Sequence, residues 1–194
     1  MSLWGATDAD ESKPKNLTTA EKLEVSASSK GWIREAGSRL SGNGNTSATP
    51  EVLVAIGGLA VKIGAADITE ITFVTTAFDK SAGGNIDVLV RFNEAVDVTG
   101  TPRVSITNGN QGSGSGRGPH LANYLSGTGT NELTFRCTIA AANAATNADD
   151  VLVIGTNATA LNGGTIKDAG TTTVSTITNA AGIGTAAGSI TVVA

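Results

Sequence analysis

The sequence predicts an all-β protein, and three observations carry that reading. Apolar and polar residues alternate through Ile86-Asp-Val-Leu-Val-Arg-Phe92 and again through Glu132-Leu-Thr-Phe-Arg-Cys-Thr-Ile139, the period-two pattern of strands with one buried face. Turn formers are abundant, with 25 glycines in 194 residues. Only 15% of residues are charged and 4% aromatic, a composition unlike a helical bundle or a charged disordered tail. The core is therefore expected to be thin and aliphatic.

Taken in order, residues 1–18 are polar and contain Pro14, so they are expected to form an extended arm that orders against a partner. Trp4 is its anchor candidate, because an indole suits a neighbour's pocket. Thr18-Thr-Ala-Glu21 has the spacing of a capping box and predicts one short helical turn. Leu23 to Ala27 and Lys30 to Ala36 read as strands joined by Ser28-Ser29. The turn cluster Ser41-Gly-Asn-Gly-Asn-Thr46 leads towards a third strand at Glu51–Ile56. This small β-meander, with Trp32 as its one large aromatic, cannot bury enough surface alone and is expected to lean on another subunit or on the rest of the chain. Gly57-Gly58 and Gly64-Ala-Ala66 bracket a connector. The chain thus divides into 1–66, an arm and meander for assembly or attachment, and 67–194.

In the second part, strands are expected at 68–76, 86–92, 103–107, 120–125, 132–139, 151–154, near 165–167, at 174–178 and at 189–193. Ile86, Val88, Val90 and Phe92 would face the core, with Asp87 and Arg91 on the wet side and Leu89 breaking that side. Leu133, Phe135, Cys137 and Ile139 would face inward from the other strand. About seven or more strands at this spacing fit an immunoglobulin-like β-sandwich. Asn108 to Gly118 is a low-complexity loop, readable either as a contact loop or as a tolerated surface insertion. Asn143 to Asp150 reads as another loop or a weak turn of helix.

Net charge is −4 with a pI near 4.9, and no basic cluster exceeds Lys13-Pro-Lys15, so no nucleic-acid partner is expected. The N-terminus lacks the basic and apolar regions of a secretory signal, and no apolar run approaches the ~20 residues of a membrane span. Neither export by that route nor a membrane location is expected. Cys137 is the sole cysteine and reads as a small core residue. His120 is the sole histidine, which excludes multi-histidine metal centres, and there is no nucleophile elbow. No enzymatic activity and no cofactor are expected. Glu94 with Asp97, and Asp149 with Asp150, have the look of acid/base pairs but read as solvated loop carboxylates. Asp79, Asp97, Asp149, Asp150 and Asp168 lie in or beside loops, where calcium finds oxygen ligands, yet no EF-hand or nonapeptide aspartate repeat accompanies them.

Five ordered blocks carry a resemblance. Phe92-Asn-Glu-Ala-Val96, Val98-Thr-Gly-Thr-Pro102, Tyr124-Leu-Ser-Gly-Thr-Gly-Thr-Asn131, Leu133-Thr-Phe135 and Leu161-Asn-Gly-Gly-Thr-Ile-Lys-Asp-Ala-Gly170 resemble a bacterial immunoglobulin-like repeat family of long exported adhesins. Here a single copy stands alone, and the Gly/Ser stretch 109–118 interrupts it. The first part is different: Leu3-Trp-Gly-Ala-Thr-Asp-Ala-Asp-Glu-Ser-Lys-Pro-Lys15, Lys30-Gly-Trp-Ile-Arg-Glu-Ala-Gly37 and Glu51-Val-Leu-Val-Ala-Ile-Gly-Gly-Leu59 are similar to virion structural proteins of contractile-tailed phages of marine cyanobacteria. These resemblances imply a virion subunit assembled in the host cytoplasm, present in several copies, with other capsid or tail proteins as partners. The alternative is a carbohydrate- or cell-surface-binding module acting on host glycans. Trp4, Trp32, Arg117, His120 and Tyr124 are the candidate contact residues for either role.

Overall fold

The computed structural model describes residues 13, 14, 16–37, 44–109, 118–142 and 146–194. It is an all-β structure. A short helix, α1 (Thr19–Leu23), comes first, and its start is a complete capping box: the Thr18 hydroxyl accepts from the Glu21 N–H while the Glu21 carboxylate accepts from the Thr18 N–H at 2.8 Å. Strands β1 (Val25–Ser28), β2 (Gly31–Arg34) and β3 (Glu51–Ala55) form the predicted antiparallel meander. Gly31 is required in it, since φ is 127° and an added Cβ would fall 2.0 Å from the Val54 carbonyl oxygen. A four-residue helix, α2 (Leu59–Lys62), closes this part.

Next come β4 (Ile68–Phe73), β5 (Phe78–Asp79), β6 (Gly84–Thr99), β7 (Arg103–Gly109), β8 (His120–Ser126), β9 (Thr130–Ile139), β10 (Val151–Ala160), β11 (Thr165–Asp168), α3 (Ala181–Ala186) and β12 (Ser189–Val193). All strands join in one sheet of order β3-β2-β1-β6-β9-β8-β7-β10-β12-β5, with β4 and β11 also on β6. The 16-residue β6 is the spine. Its first half lies between β4 and β9, and its second half holds β11 and touches β1 through a single parallel bridge, Ala27 with Glu94.

The two alternating patterns behave as read. Ile86, Val88, Val90 and Phe92 are buried, as are Leu133, Phe135, Cys137 and Ile139. Full burial of each of these larger side chains contributes about 2–3 kcal/mol. Inward residues from β4 to β12 form one cluster, while Val25, Ala27, Trp32, Ile56 and Leu59 form a second, smaller one. The smaller cluster is aliphatic apart from Trp32, as the scarcity of aromatics requires.

Several expectations need correction. The strand begun at 68 ends at Phe73, because Val74 and Thr75 both turn their N–H groups onto the Asp87 carbonyl. The strand over 86–92 runs on to Thr99, and that over 151–154 runs on to Ala160. Residues 174–178 make only isolated bridges, Lys167 with Val174 and Asp67 with Thr176. Arg91 is not on a wet face: it is 5% exposed, bonded to Glu70 and Glu132. The described end of the arm packs on its own chain, with Pro14 buried and the Lys13 ammonium donating to the Lys22 carbonyl.

Candidate functional site

The site begins with a fault in the sheet. Between β6 and β9 the register jumps from Arg91–Glu132 to Val96–Thr130, so β6 advances five residues while β9 advances two. The surplus sits at Phe92 to Ala95. Such bulges bend a strand and re-aim its side chains. Neighbouring chain fixes the distorted segment: the Asn93 N–H donates to the Asp67 carbonyl at 3.0 Å, the Asn93 side chain accepts from the Asp67 N–H at 2.7 Å, and the Ala169 N–H donates to the Ala95 carbonyl at 3.0 Å.

Glu94 lies at the centre of this segment. It is 1% exposed, and among the described residues neither carboxyl oxygen has a hydrogen-bond partner. It lines a cleft of about 800 Å³ between the meander and the larger part of the sheet. The walls come from Ser26 to Ser29 on β1 and its turn, Ala60 and Val61 on α2, Gly129 to Glu132 at the head of β9, and Asp168 to Gly170 after β11. Clefts between packed units are common ligand sites. Burial raises the Glu94 carboxyl to about 8, and the negative charges of Asp168 and Asp67 add to that. At neutral pH the group is therefore mainly a neutral acid.

The other carboxylates around the cleft differ in their commitments. Asp168 accepts from the Gly170 and Thr171 N–H groups and from the Thr171 hydroxyl, which holds the loop after β11. One oxygen of Glu132 accepts from Arg91 Nε at 2.9 Å and from its terminal nitrogen at 2.6 Å. Glu35 is raised by partial burial and by the Glu132 charge. On the far side of Arg91 is a smaller hollow of about 430 Å³, lined by Glu35 to Gly37, Thr46, Thr72 to Val74 and Leu89. Lys13 belongs to the same electrostatic group: burial lowers its ammonium to about 8, the Arg91 charge adds to this, and the Glu70 charge opposes it.

The residues singled out from sequence do not converge on this cleft. Trp4 and Arg117 lie outside the described residues. Trp32 is a core residue of the meander, 2% exposed. His120 is buried at the start of β8, where its Nε2 meets the Thr146 hydroxyl at 3.1 Å and the Asn108 amide at 3.4 Å. Burial lowers its pKa, with the Asp150 charge opposing. Tyr124 packs edge-on against Phe135 with ring centroids 6.0 Å apart, and its hydroxyl accepts from the Thr128 N–H at 2.9 Å. Its role in the described chain is thus to pin the turn into β9.

The acidic pairs also separate. Glu94 and Asp97 fall on opposite faces of β6, one buried and one exposed, and Asp150 is buried while Asp149 is exposed. Glu94, taken from sequence as a solvated loop carboxylate, is instead buried in the wall of the cleft, as is Asp168. Asp79 closes its own turn by accepting from Ser81 and Ala82, and Asp150 accepts from the Asn147 N–H at 2.8 Å. Among the described residues, no group of three or more His, Cys, Asp or Glu side chains is arranged to hold a metal ion, and no helix is long and apolar enough to cross a membrane.

Comparison with protein-family models, with curated proteins and with solved structures finds no match to this chain.

Proposed function

We propose that the chain is a structural subunit of a phage virion, a capsid decoration or head/tail accessory protein present in several copies. In this reading residues 67–194 form an outward-facing immunoglobulin-like sandwich, and the N-terminal part makes the attachment. The sequence resemblances of the two parts support it. The single structural observation that favours it is strand β3. Among the described residues β3 pairs only with β2, so its other edge offers free backbone donors and acceptors, and Val52 on it is 43% exposed. An apolar open edge is suited to accept a strand from a neighbouring subunit. Val61, 62% exposed on α2, adds apolar surface to the same part of the chain.

Co-assembly of the protein with the capsid and tail proteins of its host phage tests this reading. Deletion of residues 1–12, or Val52→Lys on the open edge, is expected to leave a folded protein that no longer enters particles. Normal incorporation of both variants would overturn it. The glycan-binding alternative requires an accessible ring face; Trp32 is buried in the meander, while Tyr124 is partly exposed.

A further inference from the structure

We propose that the cleft beside the β6 bulge binds an organic cation, an ammonium or guanidinium group, with the Glu94 carboxylate as its receptor. The proposal does not depend on the assembly role above. Its first support is the orphaned carboxyl: both oxygens of Glu94 are buried without a partner among the described residues, an unfavourable condition that a bound donor would relieve. The second is the sign of the lining. Glu35, Glu94, Glu132 and Asp168 all border the cleft, and none of its described lining residues is Lys, Arg or His. Asp67 contributes further negative charge from the segment bonded to Asn93.

These groups are not equivalent. Arg91 neutralises Glu132, and backbone donors occupy Asp168. Glu35 is exposed, so among the described residues Glu94 is the buried acid of the cleft whose oxygens have no bond. The intervening wall is made of small apolar groups, among them Ala27, Ala60, Ala95 and Ala169. Such a surface suits the methylene stem behind a charged head, and about 800 Å³ is ample for a chain of that length. A bare metal ion fits less well, because the described acids do not form a three-ligand set.

Cation binding takes the ionised form of Glu94, so it must release the proton held in the empty cleft. With the carboxyl raised to about 8, the ionised fraction rises roughly twentyfold from pH 6.5 to pH 8.5, and apparent affinity should follow that fraction. Asp67, Asp168 and Glu35 favour the cation in this range; Glu132 is paired with Arg91, and Lys13 beside Arg91, lowered to about 8, sheds positive charge over the same interval.

The test is calorimetric titration of the full chain with agmatine, with a capped Gly-Arg-Gly peptide, and with N-butylurea as the neutral counterpart, at both pH values. At least one cation is expected to bind saturably, roughly twentyfold more tightly at pH 8.5 and with proton release, while the urea does not bind. Binding of the peptide alone would assign a protein side chain as the source, and binding of agmatine would admit a free amine. Glu94→Gln is expected to weaken binding at least tenfold. Ala60→Leu, which fills the cleft from α2, should do the same with Glu94 intact. Saturable binding of neither cation, equal binding of the urea, or unchanged affinity in both variants would overturn the proposal.

Discussion

Replacing Glu94 by Gln should change how stability depends on pH. The carboxyl is raised from 4.5 to about 8 in the folded chain, so folding favours its protonated form. That contribution is complete below the unfolded value and is lost as pH climbs through the folded one. Wild-type stability should therefore fall between about pH 5 and pH 8. Fully expressed, a shift of this size corresponds to roughly 5 kcal/mol. Because Glu94 borders a cleft that water can enter, screening lowers the expected loss to about 2–3 kcal/mol. Gln keeps the shape and cannot ionise, so the variant lacks this term. Lys13 and His120, both lowered mainly by burial, pull the opposite way, gaining stability as pH rises. Their effect cancels when the two proteins are compared at each pH. Urea denaturation followed by far-ultraviolet circular dichroism at pH 5, 6, 7 and 8 supplies the comparison. The gap between Glu94→Gln and wild type is expected to widen with pH in favour of the variant. A gap that stays constant across this range would refute the reasoning.

Two further outcomes follow from the same geometry. Arg91→Ala removes the guanidinium that Glu70 and Glu132 share; breaking a buried ion pair costs about 3–5 kcal/mol, and because the Glu132 side chain is 42% exposed the expected loss is at the low end, about 2–3 kcal/mol; a urea midpoint unchanged by the substitution would contradict the buried network. Cys137 is buried on the inner face of β9 with its thiol pKa raised by burial, so a thiol reagent should modify it only as fast as the sheet opens. Immediate modification of the native protein would place it elsewhere.

What could be read from sequence was what is local. The alternation from Ile86 to Phe92 and from Leu133 to Ile139 reports burial directly because each strand has one inner face, and the Thr18–Glu21 box is complete within four residues. The helix α3 gives no such signal. Its Gly184 sits where an added Cβ would lie 2.5 Å from the Ile154 carbonyl oxygen, so close approach to β10 shapes it more than any apolar period. Strand β5 is two residues long and exists through its parallel pairing with β12, which no local pattern announces.

Glu94 is the instructive case. Its parity puts it on the inner side of β6 with Phe92 and Val96, so continued alternation was the available signal. A carboxylate next to Asn93 and near Asp97 looks like loop sequence, and hydrophilicity outweighed position. Arg91 is the converse. Alternation assigns it to the outer face, but β4 brings Glu70 across that face, and Glu35 with its neighbours borders the hollow beside it. The cleft draws its walls from β1, α2, β6, β9 and the loop after β11. Only the tertiary fold brings those segments together.

An uncharged Glu94 at the bulge of β6 underlies both the expected pH dependence and the cation site. Carbon-13 NMR of the side-chain carboxyl, assigned by its disappearance in Glu94→Gln and followed from pH 4 to pH 10 without added ligand, measures this directly. A titration midpoint near 8 is predicted. A midpoint close to the ordinary 4.5 would mean that the carboxylate is solvated or already paired, and would contradict both the buried acid and the cation site built on it.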